Sequence, residues 1–294
     1  MYDRILFPTD GSEPAESVFD YALQIASKHG ATVHVVHVVD TGQDGLARLR
    51  DDVLDVLERE GEAIVNETAE RATERDIPVT SDVLQGDPHT SIVEYSHRSD
   101  IDLIVMPTHG RRGLERTLLG SVTERVITTA DAPVVAVNPE RNRPLTYPCR
   151  DLLVPVDGSR GAALALNEGI AVAKATGAAL HLLHVVETGS LGPEDRSVST
   201  EGELTERANG IIADATETAA AASLDRIVSE IEDGVPSEAI RSYAEANGID
   251  LAILGTHGET DFSRYVLGGV SAKIVRTSPV PVMWVREPDA EARD

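Results

Sequence analysis

Lysine is nearly missing from this chain: Lys28, Lys174 and Lys273 are the whole supply in 294 residues. Aromatic residues make up only 3%, and cysteine occurs once, as Cys149. A lone cysteine excludes an internal disulfide and fits a reducing compartment. No apolar run approaches the roughly 20 residues that span a bilayer. Asp3 and Arg4 interrupt the N-terminal stretch where a secretion signal would carry its apolar segment. A soluble, cytoplasmic protein is expected. The shortage of positive charge leaves a formal net charge of -24. That balance argues against nucleic acid as a partner, because phosphate backbones select basic surfaces, and against anionic membranes for the same reason. The acidic residues are scattered rather than gathered into runs. With lysine so scarce, they fit a halophilic surface, kept in solution where concentrated salt screens repulsion within a few ångströms.

What the chain does have is written twice. Ile5-Leu6-Phe7-Pro8-Thr9-Asp10-Gly11-Ser12 is answered by Leu152-Leu153-Val154-Pro155-Val156-Asp157-Gly158-Ser159, at a shift of 147. His37-Val38-Val39 is answered by His184-Val185-Val186 at the same shift. Thr108-His109-Gly110 returns as Thr256-His257-Gly258 and Gly120 as Gly268, now at 148. A near-constant shift over this span is a duplicated domain. The expected organisation is one domain over 1–140, a second over 148–288, and an acidic tail at 289–294, with the Pro-, Asn- and Arg-rich segment Asn138–Cys149 as linker.

Within the first copy, near-continuous apolar runs at Arg4–Pro8, Thr32–Val39, Val79–Leu84, Leu103–Met106 and Val134–Val137 predict strands covered on both faces. Helical spacing fills the intervals. A first helix runs from about Pro14 to His29 and stops at Gly30, and a long charged one spans about Gly45 to Arg75. A third starts at Asp87-Pro88, a cap residue followed by proline. A fourth starts at Ser121, where Ser121 and Glu124 read as a capping box. Strict alternation of strand and helix predicts an α/β fold with doubly wound, mainly parallel sheets in tandem.

Ligands of such sheets bind beyond the carboxyl ends of the strands, where strand order reverses. With the first and fourth strands as neighbours, that point joins Pro8–Gly11 to Pro107–Gly113. Asp10 offers a carboxylate suited to ribose hydroxyls, although Asp10-Gly11-Ser12-Glu13 could equally turn the chain and cap the first helix. Gly110 and Gly120 permit close backbone approach to phosphates. The helix opening at Ser121 supplies free N–H groups and a positive dipole end. His37 and His184, inside apolar strands, read as satisfied core residues, and His109 and His257 as hydrogen-bonded to loop backbone. No Walker A loop, no metal-ligand spacing and no acid–base pair for hydrolysis occurs.

The strand ending Pro8-Thr9-Asp10-Gly11-Ser12, the strand ending His37-Val38-Val39 and the segment Gly110-x9-Gly120-Ser121 together resemble the universal stress protein family, once per half. The resemblance implies a Rossmann-like, adenine nucleotide alpha-hydrolase-like fold with five parallel strands in the order 3-2-1-4-5. It implies ATP or another adenine nucleotide as ligand, with or without magnesium. By position, Pro8, Thr9 and Asp10 would border the adenosine, Val38 would offer backbone contacts to adenine, and Met106 would wall the pocket. Gly110, Gly120, Ser121 and Val122 would hold phosphates. Pro107 departs from the pattern, standing where the family has its first motif glycine. In the second half Pro155, Val156, Asp157, Val185, Gly255, Gly258, Gly268 and Val270 take the matching places, but Gly269 replaces the hydroxyl residue. Loop charge also favours the first copy, with Arg111, Arg112, Glu115 and Arg116 against Glu259, Asp261 and Arg264. Lys273 offsets this in part.

The expected function is a stress-response regulator that binds an adenine nucleotide, better in its first domain, and answers to a regulatory protein partner of unknown identity. The alternative is a scaffold that binds no nucleotide and acts through protein contacts, favoured by Pro107 and Gly269. An enzyme is not expected, and any ATP turnover should be slow and incidental. A nucleotidyl transferase would need a His-x-Gly-His or Ser-Gly-Gly loop, which is missing. The resemblance also implies pairing through the fifth strand, so Val134–Val137 is expected to pair with the strand around Val280–Val285 as an intramolecular pseudo-dimer, open to further homodimerisation. The short linker raises the effective concentration of that contact to about the millimolar range. Small-angle scattering of the monomer should report a single compact particle; two lobes on a mobile tether would contradict the pairing.

Overall fold

The computed structural model describes residues 1–41, 51–110, 119–140, 144–187, 198–256 and 267–287. They divide into two compact units, Met1–Tyr147 and Pro148–Asp294. The first runs β1 (Arg4–Pro8), α1 (Glu13–His29), β2 (Thr32–Asp40), α2 (Asp51–Thr73), β3 (Val79–Gly86), α3 (Pro88–Arg98), β4 (Leu103–Pro107), α4 (Ser121–Thr129) and β5 (Val134–Val137). The second repeats it as β6 (Asp151–Pro155), α5 (Arg160–Thr176), β7 (Ala179–Glu187), α6 (Val198–Ala221), β8 (Ile227–Gly234), α7 (Pro236–Ala246), β9 (Leu251–Gly255), α8 (Gly269–Thr277) and β10 (Val282–Val285). Within the first unit the strands lie in the order β3-β2-β1-β4-β5, and within the second β8-β7-β6-β9-β10, all parallel. The expected doubly wound arrangement is therefore present in each copy. Among the described residues no helix is long and apolar enough to cross a membrane.

Local signals account for the helix ends. The Ser12 hydroxyl accepts the Ala15 N–H at 3.4 Å, Pro14 occupies the first turn, and Gly30 closes α1 at φ 68°, where its N–H reaches the Ala26 carbonyl. Helix α5 repeats this with Ser159 on the Ala162 N–H at 3.1 Å and Gly177 at φ 76°. The apolar stripe of α1 lays Val18, Phe19, Ala22, Leu23 and Ile25 against the sheet, all fully buried. Central strands are covered as expected, but β3 is not: Thr80, Ser81 and Asp82 are exposed because β3 is a sheet edge. The beginning of the predicted long helix, 45–50, lies outside the described residues.

A buried polar pair recurs in both copies, with its protons arranged differently. His34 Nδ1 stands 3.1 Å from the Tyr95 hydroxyl, which donates to Asp82 at 2.6 Å. A carboxylate only accepts, so the tyrosine proton goes to Asp82 and His34 donates through Nδ1. His181 Nδ1 stands 3.0 Å from Tyr243, but its Nε2 faces Asp151 at 3.2 Å, so Nε2 is the protonated nitrogen there. The two copies differ in where the carboxylate sits: Asp82 takes the tyrosine proton in the first, and Asp151 faces the imidazole in the second, where the first has Arg4. Both tyrosines are pushed up to about 12, chiefly by burial and then by neighbouring carboxylates.

Burial, followed by the Arg4 charge, holds His34 below the ordinary histidine value, against a weaker pull from Asp82. Burial, the N-terminal amine and Lys28 do the same to His29, whose Nε2 sits 2.6 Å from the Tyr147 hydroxyl. The folded chain thus resists protons that the unfolded chain takes up near pH 6.5. Their stabilising contribution is complete above that pH and is lost as pH falls through 6.5 toward the lowered folded values. Thermal melts between about pH 7.5 and 5.5 should show the first unit losing stability on acidification. His34→Asn, which keeps a donor for Tyr95 without titrating, should flatten part of the slope; melting independent of pH over this range would contradict the assignment.

Candidate nucleotide crevice

The crevice begins where a ladder ends. Strands β1 and β4 pair at only two positions, Ile5 with Leu103 and Leu6 with Ile104, whereas β1 and β2 pair at five. Beyond Ile104 no pairing joins the two strands among the described residues, and their carboxyl ends lie at the strand-order reversal, where sheets of this kind take ligands. Strands β6 and β9 likewise pair only at Leu152 with Leu251 and Leu153 with Ala252. Backbone groups past this point need other partners, and they find them nearby. Thr9 N–H still reaches the Val36 carbonyl at 2.9 Å, and the Thr9 carbonyl accepts from His37 Nδ1 at 2.9 Å. Thr108 N–H is held by the Val137 carbonyl, and the Pro107 carbonyl accepts from the Thr123 hydroxyl, each at 2.9 Å.

Asp10 turns the chain, one of the two roles expected of its position. One carboxylate oxygen accepts the Ser12 N–H at 3.1 Å, turning the chain into α1, while the cap itself is the Ser12 hydroxyl. The other oxygen stands so close to Gly110 that a Cβ there would overlap it, with Cγ only 3.1 Å away. The turns after β1 and β4 therefore meet across the cleft mouth, and glycine is what lets them meet. Gly120 is similarly confined, since a Cβ would lie 3.2 Å from the Thr108 carbonyl oxygen, to which its N–H donates at 2.7 Å.

Helix α4 corrects the predicted capping box. Its N-cap is Gly120, with no side-chain cap, so Ser121 is the first helical residue and Glu124 lies one place too far along for the motif. The Gly120 carbonyl already receives the Glu124 N–H at 3.0 Å, which moves the cap one residue earlier. In consequence the first-turn N–H groups of α4 have no capping side chain, and the exposed Ser121 hydroxyl is not spent on its own helix. That end carries the positive dipole and unsatisfied donors that an anion would use.

Around this frame Pro8 ends β1, Met106 and Pro107 end β4, and Val38 lies near the end of β2, beyond the reach of β1. Pro8, Thr9, Met106 and Pro107 are buried, Asp10, Val38, Gly110, Gly120 and Val122 half-buried. Ladder N–H groups at Ile104 and Thr108 point to the β5 side. Directions alternate along a strand, so the amide that Pro107 lacks would face β1 and the cleft. Proline costs the ladder nothing there, but it removes one donor from the crevice. His109 is buried with Nδ1 3.2 Å from the Thr108 hydroxyl, a side-chain partner where a backbone partner was expected.

Residues 1–138 match the universal stress protein family, and residues 149–286 match it again. The chain belongs to that family. A universal stress protein of Methanocaldococcus jannaschii is 36% identical over 143 residues, 47% of this chain and 82% of the relative. One from Synechocystis is 24% identical over 305 residues, covering 96% of this chain and 99% of the relative. The crystal structure of a universal stress protein from Archaeoglobus fulgidus superposes with a TM-score of 0.72 at 26% identity, over 97% of this chain and 98% of that one.

The second copy of the fold builds a different crevice. Pro155 ends β6, Val156 and Asp157 follow, and Val185 lies near the end of β7. Asp157 takes the Ser159 N–H at 2.9 Å, as Asp10 does its counterpart. Gly255 ends β9, and a Cβ there would stand 2.6 Å from the Gly161 carbonyl carbon, so α5 and β9 touch through their backbones. Gly268 is the uncapped N-cap of α8, followed by the exposed Gly269 and Val270. Gly258, His257 and the loop charges of both copies, Arg111, Arg112, Arg116, Glu259 and Asp261 among them, lie outside the described residues. Lys273 is exposed in α8, five residues into the helix.

Two residues escaped the sequence reading. Thr123 and Ser271 tie the helix starts to the strand ends, the second through a 3.4 Å bond to the Gly255 carbonyl. A hydroxyl at matching places in both copies was the available signal. A separate groove of about 450 Å³ between α1 and α2 is lined by Glu13, Glu16, Asp20 and Glu67, whose charge suits no phosphate. Among the described residues no cluster of His, Cys, Asp or Glu could hold a metal ion.

These contacts rank the glycines. Gly110→Ala and Gly255→Ala should each destabilise their unit by about 1–3 kcal/mol through overpacking. Gly269→Ala, with nothing within 4 Å of the new Cβ, should be neutral or slightly stabilising. Urea unfolding of the three variants distinguishes them; equal effects would contradict the packing described.

Proposed function

We propose that the chain is a regulatory protein that binds ATP or another adenine nucleotide in the crevice of its first unit, in a salt-rich cytoplasm. The observation that carries this reading is the meeting of Asp10 and Gly110 beside the uncapped start of α4. It supports a ribose held by the Asp10 carboxylate and phosphates lying along the N–H groups of Ser121 and Val122, with the Ser121 hydroxyl as an added donor. Val38, past the end of β1, would turn its backbone to the adenine. Among the described residues none is placed as a base for an attacking water, and binding rather than turnover is the expected event.

The second unit shares the aspartate, the valine and the uncapped helix but lacks the hydroxyl at Gly269. It should therefore bind more weakly. A nucleotide-free scaffold is the competing reading, and the donor missing at Pro107 favours it. Calorimetry with ATP, ADP and AMP in about molar KCl, where exposed charges are screened, should show saturable binding. No heat with any of the three would leave the scaffold standing. Ser121→Ala should weaken ATP by about two- to tenfold, the worth of one hydrogen bond. Gly269→Ser, placed in open space, should strengthen ATP binding to the second unit by a similar factor. An unchanged second-unit affinity would show that the hydroxyl does not touch phosphate.

A further inference from the structure

We propose that His37 and His184 are positioning residues: each imidazole replaces a missing ladder bond, and by doing so sets the aspartate and frees the strand backbone that faces the ligand. The proposal rests on the crevice being a nucleotide site, and it assigns work to two side chains that otherwise read as core filling. His37 Nδ1 lies 2.9 Å from the Thr9 carbonyl oxygen, and His184 Nδ1 lies 2.7 Å from the Val156 carbonyl oxygen. A carbonyl only accepts, so Nδ1 carries the proton in both rings. In each copy the carbonyl belongs to the residue just before the aspartate of the turn.

The register explains why a side chain is needed. Val36 gives its carbonyl to the Thr9 N–H, and Leu183 gives its own to Val156 at 2.8 Å. Backbone directions alternate along a strand, so Val38 and Val185 also face the β1 and β6 sides. A continued ladder would join the Thr9 carbonyl to the Val38 N–H. Among the described residues no backbone bond joins them; the imidazole has taken the carbonyl instead. Thr9 is then tied on both sides, by backbone at its N–H and by His37 at its carbonyl. Asp10 starts from a fixed peptide, and Val38 keeps its amide and carbonyl for whatever occupies the cleft.

The surroundings are shaped for the ring. A Cβ at Gly61 of α2 would stand 2.8 Å from His37 Cδ2, so the helix backbone lies against the imidazole edge and holds it in place. Ile64, one turn on, would meet a Cβ at Gly11 at 2.8 Å and so covers the far side of the same turn. Two copies that differ at Pro107/Gly255 and at Ser121/Gly269 have kept this contact with nearly the same length.

The test compares His37→Phe, which keeps a ring without the donor, with His37→Asn, whose Nδ2 stands where the imidazole Nδ1 does. Both are made in the full chain carrying Asp157→Ala, so that ATP binding reports the first unit. His37→Phe should weaken ATP about tenfold, one to two hydrogen-bond equivalents, and His37→Asn should restore most of the loss. In the absence of nucleotide, His37→Phe should speed hydrogen exchange at Gly11 and Ser12 while the α1 interior keeps its protection. Unchanged exchange, or equal loss of ATP binding by both variants, overturns the proposal. If the parent chain binds no ATP, the functional reading fails and the exchange measurement alone decides the brace. If His37→Phe does not fold, His184→Phe, read by exchange at Gly158 and Ser159, decides by the same two outcomes.

Discussion

The early end of the β1–β4 ladder is the constraint on which the rest of the site depends. Two pairs join these strands, and the backbone groups beyond them find other partners. Some are backbone, with the Val36 carbonyl on the Thr9 N–H and the Val137 carbonyl on the Thr108 N–H. The rest are side chains. His37 takes the Thr9 carbonyl, Thr123 takes the Pro107 carbonyl, and Asp10 takes the Ser12 N–H. Each bond fixes a strand or turn end at the strand-order reversal, where the proposed crevice lies.

Duplication shows which parts of that solution tolerate change. The histidine brace, the aspartate turn, the serine cap on the first helix and the hydroxyl on the fourth are present in both units. The last strand residue differs, as Pro107 and Gly255, and the difference is physical. Gly255 touches the backbone of Gly161 at the start of α5, where any side chain would collide. In the first copy the corresponding helix position is Pro14, and Pro107 is buried. The His–Tyr pair diverges as well: the tyrosine donates to Asp82 in the first copy, whereas in the second Asp151, standing where the first has Arg4, faces the imidazole instead.

Much of the fold was legible because its signals are local. The five runs of the first copy, Ser12 before Glu13 and Gly30 after His29 each report on the few residues around them, and the structure places the strands and α1 within a residue or two of those signals. The edge character of β3 was misread, although Thr80, Ser81, Asp82 and Gln85 already break its apolar run, and strand order makes it plain. The capping of α4 was misread for a related reason. Ser121 and Glu124 have the spacing of a capping box, but the Gly120 carbonyl takes the Glu124 N–H, and this shifts the helix frame by one.

By itself the sequence determined the duplication and the alternation of strand and helix, and its motifs carried the family resemblance. The first two follow from repeat spacing, periodicity and turn chemistry, which act over a few residues at a time. Only the tertiary structure decided that Asp10 meets Gly110, a hundred residues away, that His37 completes the ladder at Thr9, and that Gly255 faces Gly161 where Pro107 stands in the first copy. Each of these is a contact between elements brought together by strand order. Packing at that range depends on the distance and angle between backbones, which no local pattern records.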